Sequence, residues 1–205
     1  VKGFTLIELL IVIGIIAILA TVVILTLNPA ELLRQARDST RISDLGTLKS
    51  AISLYLADVS TPSLGVATQC YTSLATTYMI ATGTGAISCG AGGTLARFPA
   101  VGYFAIVSDG GTTARNVNGT GWVPVNLTQI GSGAPISALP IDPVVPNVST
   151  TNQFYAYAVS STNYEANANL ESVKYAKDGS ADAENTDGGN SPLLFEVGTF
   201  PSLQL

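Results

Sequence analysis

The sequence predicts an α+β protein in which one long N-terminal helix packs against a C-terminal antiparallel sheet. An apolar run without charge covers residues 9–27, and apolar positions then recur every three or four residues to about residue 58. Several short runs rich in β-branched and aromatic residues follow after residue 100. Because the strands come after a single helical segment, we expect one sheet that covers the amphipathic half of that helix.

The composition excludes several functional classes. The chain has 205 residues, a formal net charge of −5 and no histidine. Binding to nucleic-acid phosphates needs clustered Lys and Arg, so the acidic balance indicates no specific nucleic-acid site. The absence of histidine removes the commonest general base, and the sequence has neither a GxSxG motif nor a phosphate-binding loop. We therefore predict that the protein is not an enzyme.

The first residues combine a basic residue, a glycine, a phenylalanine and one carboxylate. Lys2 and Gly3 precede the apolar run, Phe4 opens it and Glu8 lies one turn inside it. A cleavable secretory signal would have its cleavage site after the apolar run, where an amphipathic helix follows here instead. A plain signal anchor would leave Glu8 unexplained, because an acidic residue near a membrane span costs a few kcal/mol and usually has a function.

The stretch Gly-Phe-Thr-Leu-Ile-Glu-Leu-Leu-Ile-Val, beginning at Gly3, closely resembles the processing motif of bacterial type IV pilins and type II secretion pseudopilins. The resemblance implies that prepilin peptidase cuts between Gly3 and Phe4 and methylates the new Phe4 amine. Residues 1–3 are then a leader remnant. The remaining domains are a transmembrane and filament-core helix at 4–28, an amphipathic helix at 29–58 and a globular head at 59–205.

The resemblance also implies a function and a set of partners. It favours a structural subunit, a major pilin, of a surface filament that supports adhesion, twitching motility or DNA uptake. The partners would be copies of the chain, prepilin peptidase, the pilus assembly platform and motor, and the inner membrane before assembly. The alternative is a type II secretion major pseudopilin, and a less favoured one is a membrane-anchored binding protein or enzyme.

Glu8 is the residue expected to direct assembly. In a low-dielectric layer an isolated carboxylate and an isolated amine are each costly, whereas the pair is tolerated. We therefore expect Glu8 to pair with the N-methylated Phe4 amine of a neighbouring subunit. A buried ion pair of this kind sets the axial register between otherwise uniformly apolar helices.

A break is predicted where the apolar run ends. Pro29 has no N–H to donate, and its ring clashes with the carbonyl of Leu25 in a continuous helix. Either Asn28 caps a second helix with Pro29 at its first position, or one helix continues with a kink. We expect a weak or extended stretch from Leu25 to Pro29 in the polymer.

The segment after Pro29 is predicted to be an amphipathic helix that ends near Asp58. Its apolar positions recur at helical spacing, at Ile42, Leu45, Leu48, Ile52 and Tyr55. The charged residues fill other positions, at Arg34, Arg37, Asp38, Arg41, Asp44 and Lys49. These charges indicate either a solvated face or ion pairs between subunits.

The head is predicted to contain loops, a short helix and several strands. Residues 60–98 are interpreted as a loop region with a short helix at 73–80. Five β-prone runs follow, at Tyr103–Val107, Gly121–Leu127, Phe154–Val159, Tyr164–Leu170 and Leu193–Val197. In Phe154–Val159 aromatic and small residues alternate, and the set of short strands after one long helix predicts an antiparallel sheet packed on the amphipathic half of the helix.

Two cysteines, Cys70 and Cys89, suggest a disulfide, because an even pair in an exported domain is usually oxidised. The closed loop would stabilise the head by roughly 3 kcal/mol in the chain-entropy model. The alternative is two buried thiols that pack as small apolar groups.

A cluster of carboxylates near glycines is the one candidate metal site. Asp178, Asp182, Glu184 and Asp187 offer the hard oxygen ligands that calcium prefers. The spacing is similar to the start of an EF-hand but lacks its sixth-position glycine and twelfth-position glutamate. Calcium binding in a C-terminal loop is also implied by the resemblance to pseudopilin heads. The alternative is a solvated acidic turn, and no other cofactor is predicted.

Overall fold

The computed structural model describes residues 3–66, 70–73, 114–144, 153–160 and 162–200. The N-terminal part consists of two consecutive helices, α1 (Leu6–Leu27) and α2 (Pro29–Asp58). Asn28 separates them and has a left-handed backbone conformation, with φ of 40° and ψ of 73°. The helical stem therefore contains a break at the position where the sequence predicts one.

The break depends on the backbone and not on a side-chain cap. Pro29 is the first residue of α2, where its missing N–H removes no helical hydrogen bond. The Asn28 side chain makes no capping bond, and its carbonyl instead accepts hydrogen bonds from Glu31 N and Leu32 N at 2.9 and 3.3 Å. Side-chain capping by Asn28 is therefore wrong, whereas a second helix beginning at Pro29 is correct. Asparagine suits this position because it tolerates the left-handed region better than most residues.

Within its described residues, the head contains a four-stranded antiparallel sheet in which the strands lie side by side in chain order. The strands are β1 (Cys70–Thr72), β2 (Tyr155–Ser160), β3 (Asn163–Ala168) and β4 (Phe195–Gly198). β2 and β3 form a hairpin in which Tyr157 lies opposite Ala166. A long N-terminal helix followed by an antiparallel sheet confirms the predicted α+β fold and agrees with the architecture of pilins.

The core lies between α2 and one face of the sheet. The helix contributes residues at the predicted spacing, and the sheet contributes every second residue of β2 and β3. These buried side chains include Leu45, Leu48, Ile52, Tyr55, Tyr155, Tyr157, Tyr164 and Ala166. The Tyr157 and Tyr164 rings stack with centroids 5.6 Å apart. These large rings fill the space between the sheet and α2. The Tyr157 hydroxyl donates a hydrogen bond to the carbonyl oxygen of Leu64 at 2.9 Å.

One of the strand predictions needs correction. The run Gly121–Leu127 is not a strand: it is irregular and leads into a 3₁₀ helix at Leu127–Gln129. Pro124 lies in the middle of this run, and a proline cannot donate to a strand ladder. Trp122 is still fully buried, and its Nε1 donates to the carbonyl oxygen of Pro140 at 2.8 Å.

β1 lies in a segment that the sequence analysis interpreted as loop. It is only three residues long, so it has too little alternation to be recognised from the sequence. The predicted strand Tyr103–Val107 lies outside the described residues. The same is true of the predicted helix at 73–80, except for Ser73.

We predict that the break between α1 and α2 widens in the assembled filament. Pro29 donates no hydrogen bond, and Asn28 already has a non-helical backbone, so residues 25–29 have few helical bonds to lose. A high-resolution electron-microscopy map of the filament should show an extended stretch here. A straight, continuous helix through Asn28 in that map would contradict the prediction.

Candidate functional site

The N-terminal motif forms a complete helix start. Thr5 is the N-cap of α1, and its hydroxyl accepts a hydrogen bond from Glu8 N at 3.3 Å. In return, Glu8 Oε2 accepts bonds from Thr5 N at 2.8 Å and from Thr5 Oγ1 at 2.6 Å. This reciprocal capping box satisfies N–H groups that have no partner within the helix. The sequence analysis missed this role of Glu8, although the Thr-x-x-Glu spacing is its usual signal.

α1 is apolar around its whole circumference. Every described side chain from Leu6 to Ile24 is exposed, and Phe4 is 83% exposed. The helix from Leu6 to Ile24 is long and apolar enough to cross a membrane. So large an apolar surface is unfavourable in water, so it requires lipid or protein around it.

The site of the predicted cleavage lies just before this helix. Gly3 and Phe4 are exposed and belong to no helix or strand. The peptide bond between them is therefore accessible in the structure, and its cleavage stays a prediction.

Comparison with protein families identifies the motif. Residues 1–24 match the family model described as the prokaryotic N-terminal methylation motif. The chain carries the type IV pilin and pseudopilin signature. No curated protein and no solved structure matches the chain. The pilin signature thus covers only the start of the stem. What is said of the head therefore rests on the structure of the head and not on a match to a known protein.

A buried ionic cluster joins the pilin-type stem to the head. The side chain of Arg41 on α2 is 0% exposed, and it binds Asp142 through two hydrogen bonds of 2.8 and 2.9 Å. Arg41 also binds Asp38 at 2.7 Å and Glu171 at 2.8 Å, and Arg37 binds Glu171. These charges lie inside one subunit. Arg37, Asp38 and Arg41 therefore form neither a solvated face nor pairs between subunits. Arg34 and Lys49 are exposed, and both alternatives stay open for them.

Electrostatics in the cluster favour the charged forms. Hydrogen bonds from Arg37 and then from Arg41 lower the pKa of Glu171 to about 2, against the effect of burial. Burial by itself would lower the pKa of Arg41, but Asp142, Glu171 and Asp38 together raise it. Arg37, Arg41 and Glu171 therefore carry their charges at neutral pH.

The same cluster holds a C-terminal loop against the stem. Asp38 accepts hydrogen bonds from Glu171 N at 3.1 Å and from Ser172 N at 2.7 Å. One residue further, Val173 N donates to Glu31 at 2.8 Å. The loop at 171–173 is thus bound along the first turns of α2, close to the break at Asn28.

The four carboxylates predicted to bind calcium do not converge on one point. Asp182 accepts hydrogen bonds from Asp178 N and Asn185 N, each at 2.9 Å. Glu184 is buried and accepts from Leu170 N at 3.1 Å and from Lys177 N at 3.0 Å, and Asp187 accepts from Gly189 N at 2.8 Å.

Across the described residues, no group of three or more His, Cys, Asp and Glu side chains is positioned to hold one metal ion. The geometry therefore gives no support to a calcium site formed by Asp178, Asp182, Glu184 and Asp187. Three of these carboxylates instead shape the loop through its backbone amides, which is the local role that Asp and Asn side chains commonly have in turns.

A pair of buried glutamates was not foreseen from the sequence. Glu165 on β3 is 2% exposed and Glu196 on β4 is 3% exposed. Burial, together with the nearby Glu196 carboxylate, raises the pKa of Glu165 to about 9, although a hydrogen bond from Asn167 opposes the shift. Burial also raises the pKa of Glu196 and of Asp187. The signal in the sequence is two glutamates within β-prone runs, at positions facing away from the tyrosines.

The cysteine prediction is not tested by the structure. Cys70 is the first residue of β1, and Cys89 lies outside the described residues. The disulfide between them stays a prediction.

We predict that Arg41→Met lowers the free energy of unfolding by about 3–5 kcal/mol, because it leaves buried carboxylates without their cation. The matched control is Arg34→Met on the same helix, since Arg34 is half exposed and lies 3.9 Å from Glu31. This control should change the stability by no more than about 0.5 kcal/mol. Denaturant unfolding of the full chain in detergent would measure both values. Equal losses in the two variants would contradict the assigned role of Arg41.

We also predict that the head loses stability as the pH rises, in metal-free buffer. The raised pKa of Glu165 keeps its proton in the native state up to pH about 9, whereas the unfolded state releases it near the ordinary pKa of 4.5. The contribution of Glu165 to the free energy of unfolding should therefore be greatest below pH 4.5. Between pH 4.5 and pH 9 it should fall by up to about 1.4 kcal/mol per pH unit.

Glu165→Gln should flatten this pH dependence, because the amide has the same shape and does not titrate. Asp178→Asn, on the exposed part of the loop, is the control and should keep the wild-type slope. The melting temperature of the full chain in detergent, measured at several pH values, provides the comparison. A Glu165→Gln slope as steep as that of the wild type would rule out Glu165 as the titrating group.

Proposed function

We propose that the chain is the major subunit of a bacterial type IV pilus that acts in adhesion, twitching motility or DNA uptake. The supporting observation is α1, which carries the pilin signature, exposes its apolar side chains from Leu6 to Ile24 and has one carboxylate near its start. In this proposal α1 anchors the subunit in the inner membrane before assembly. It then leaves the membrane and becomes part of the filament core.

The exposure of α1 supports a homopolymer. Once the helix leaves the lipid, an apolar surface of equal length must cover it, and the α1 helices of other copies have that length. Contacts between different faces of identical subunits generate open helical filaments when the rotation does not close. The head, which has its own core on α2, can then form the outer layer.

The capping geometry supports a second role for Glu8. Both bonds from Thr5 reach Oε2, and neither reaches Oε1. A carboxylate has about four acceptor positions, so Glu8 can keep its capping bonds and also accept the Phe4 amine of a neighbour. The capping box would thereby hold the carboxylate in place before the partner arrives.

The second candidate is the major pseudopilin of a type II secretion system, since the signature is common to pilins and pseudopilins. The two proposals differ in where the polymer lies. A surface pilus extends beyond the cell at native expression, whereas a secretion pseudopilus remains within the cell envelope.

Electron microscopy of sheared surface material, combined with mass spectrometry of its subunit, tests the proposal. We expect filaments built of this chain, with a subunit that begins at Phe4 and carries one methyl group on its amine. Filaments seen only on overexpression would favour the pseudopilin. A monomeric chain with an intact Gly3–Phe4 bond in the cell would overturn both.

A pair of variants separates the pairing of Glu8 with a neighbouring amine from its role in capping α1. We expect Glu8→Gln to reduce the filament yield at least tenfold, because the amide cannot neutralise the neighbouring amine. Thr5→Val should assemble normally, because it removes the hydroxyl of the capping box and keeps the charge. Surface filaments are counted by electron microscopy, with the amount of membrane-bound subunit as the reference. Loss of filaments in Thr5→Val alone would assign the effect to helix capping.

A further inference from the structure

Exposed apolar side chains from two parts of the chain lie next to the break between α1 and α2. Leu32 and Leu33, in the first turn of α2, are 50% and 62% exposed, and Val173 of the C-terminal loop is 73% exposed. Val173 N donates to Glu31 Oε1 at 2.8 Å, so this loop residue lies at the level of the same turn. The three side chains therefore continue the exposed apolar surface of α1 past the break.

The length of α1 places this turn at the surface of a membrane. α1 has 22 residues, or about 33 Å, and the hydrocarbon layer of a bilayer is about 30 Å thick with about 5–7 Å of headgroups on each side. Glu31 follows the last residue of α1 by four positions, about 6 Å along a helix, and a bend at Asn28 can only shorten that distance. When α1 spans the membrane, the first turn of α2 therefore lies in the headgroup layer.

The charged and aromatic groups at this level suit a layer of lipid phosphates. The Arg34 side chain is half exposed, and Lys174, the residue after Val173, holds its Nζ 4.8 Å from the centroid of the Tyr175 ring. Basic side chains are attracted to anionic lipids at a membrane surface, where tyrosine is also enriched. The carboxylate of this turn, Glu31, already accepts the Val173 amide.

We propose that Leu32, Leu33 and Val173 form a second membrane contact of the unassembled subunit, with Arg34 and Lys174 at the phosphates of anionic lipids. Apolar side chains that lie at this depth are removed from water at the boundary between the headgroups and the acyl chains. The proposal rests on the anchoring of α1 in the membrane and is independent of the filament that the subunit later forms.

Hydrogen bonds to the loop backbone hold Val173 at this level. Asp38 accepts Glu171 N at 3.1 Å and Ser172 N at 2.7 Å, and Glu31 accepts the next amide. The head cannot lift the loop away from the lipid without breaking these three bonds to the stem. The contact therefore fixes the height of the head above the membrane before assembly.

Tryptophan fluorescence of the full chain in vesicles tests the proposal. Val173→Trp is placed in phosphatidylcholine vesicles that contain about 30% phosphatidylglycerol, with bromine near the carbonyl end of the acyl chains. We expect the bromine to quench about half of the emission that this variant adds to that of the buried Trp122. Quenching should be weaker in phosphatidylcholine alone, and equal quenching in both would overturn the role of Arg34 and Lys174.

Two further variants are the controls. Leu54→Trp replaces another exposed leucine of α2, about 40 Å beyond the end of α1, and should not be quenched. Ile16→Trp lies in the middle of α1 and should be quenched by lipids brominated near the ends of their chains. Quenching of Ile16→Trp without quenching of Val173→Trp would overturn the second contact and leave the anchoring of α1 intact.

The remaining outcomes separate this proposal from its alternatives. If Ile16→Trp is not quenched either, α1 does not span the bilayer, and the proposed anchoring fails together with the second contact. If Val173→Trp is unquenched in vesicles but its emission shifts to the blue in sheared filaments, a second copy of the chain covers this surface and the proposal is wrong.

Discussion

The interaction on which the subunit depends is the buried contact between Arg41 of the stem and Asp142 of the head. Both side chains are almost completely excluded from solvent, and the guanidinium binds the carboxylate through two atoms. Asp38 and Glu171 complete the shell around the same cation. Because a buried charge is tolerated only when its partners are in place, the cluster fixes the position of α2 relative to two head loops that are distant in sequence.

This arrangement divides the stem into two parts with different chemistry. α2 packs its buried apolar and charged residues within the subunit, in the tyrosine-lined core and the ionic cluster. α1 has its backbone hydrogen bonds and the Thr5–Glu8 capping box, while its described apolar side chains are exposed. Its apolar surface therefore requires an environment outside the subunit. The break at Asn28 lies at the boundary between the two parts, so α1 can repack without a change in the core of the head.

Much of the fold was predictable because it follows from local patterns. The two helices, the break at Pro29 and three of the strands follow from periodicity and from the chemistry of proline. The strand expected around Trp122 was wrong, because aromatic and β-branched residues indicate burial as well as strand. Of the candidate site residues, Glu8 is singled out by its isolation in an apolar run, and its role in assembly stays a prediction. The partners of Arg41 were not found, because 101 residues separate it from Asp142.

The sequence by itself determined the pilin signature, the membrane-compatible helix and the α+β order of elements, since each depends on residues close together in the chain. Only the tertiary structure decided which charges are buried and what they bind. The acidic loop that looked suited to calcium binds its own backbone, whereas Glu165 and Glu196 come together only when β3 pairs with β4. The physical reason is that burial and the proximity of distant carboxylates arise from packing, which no local pattern specifies.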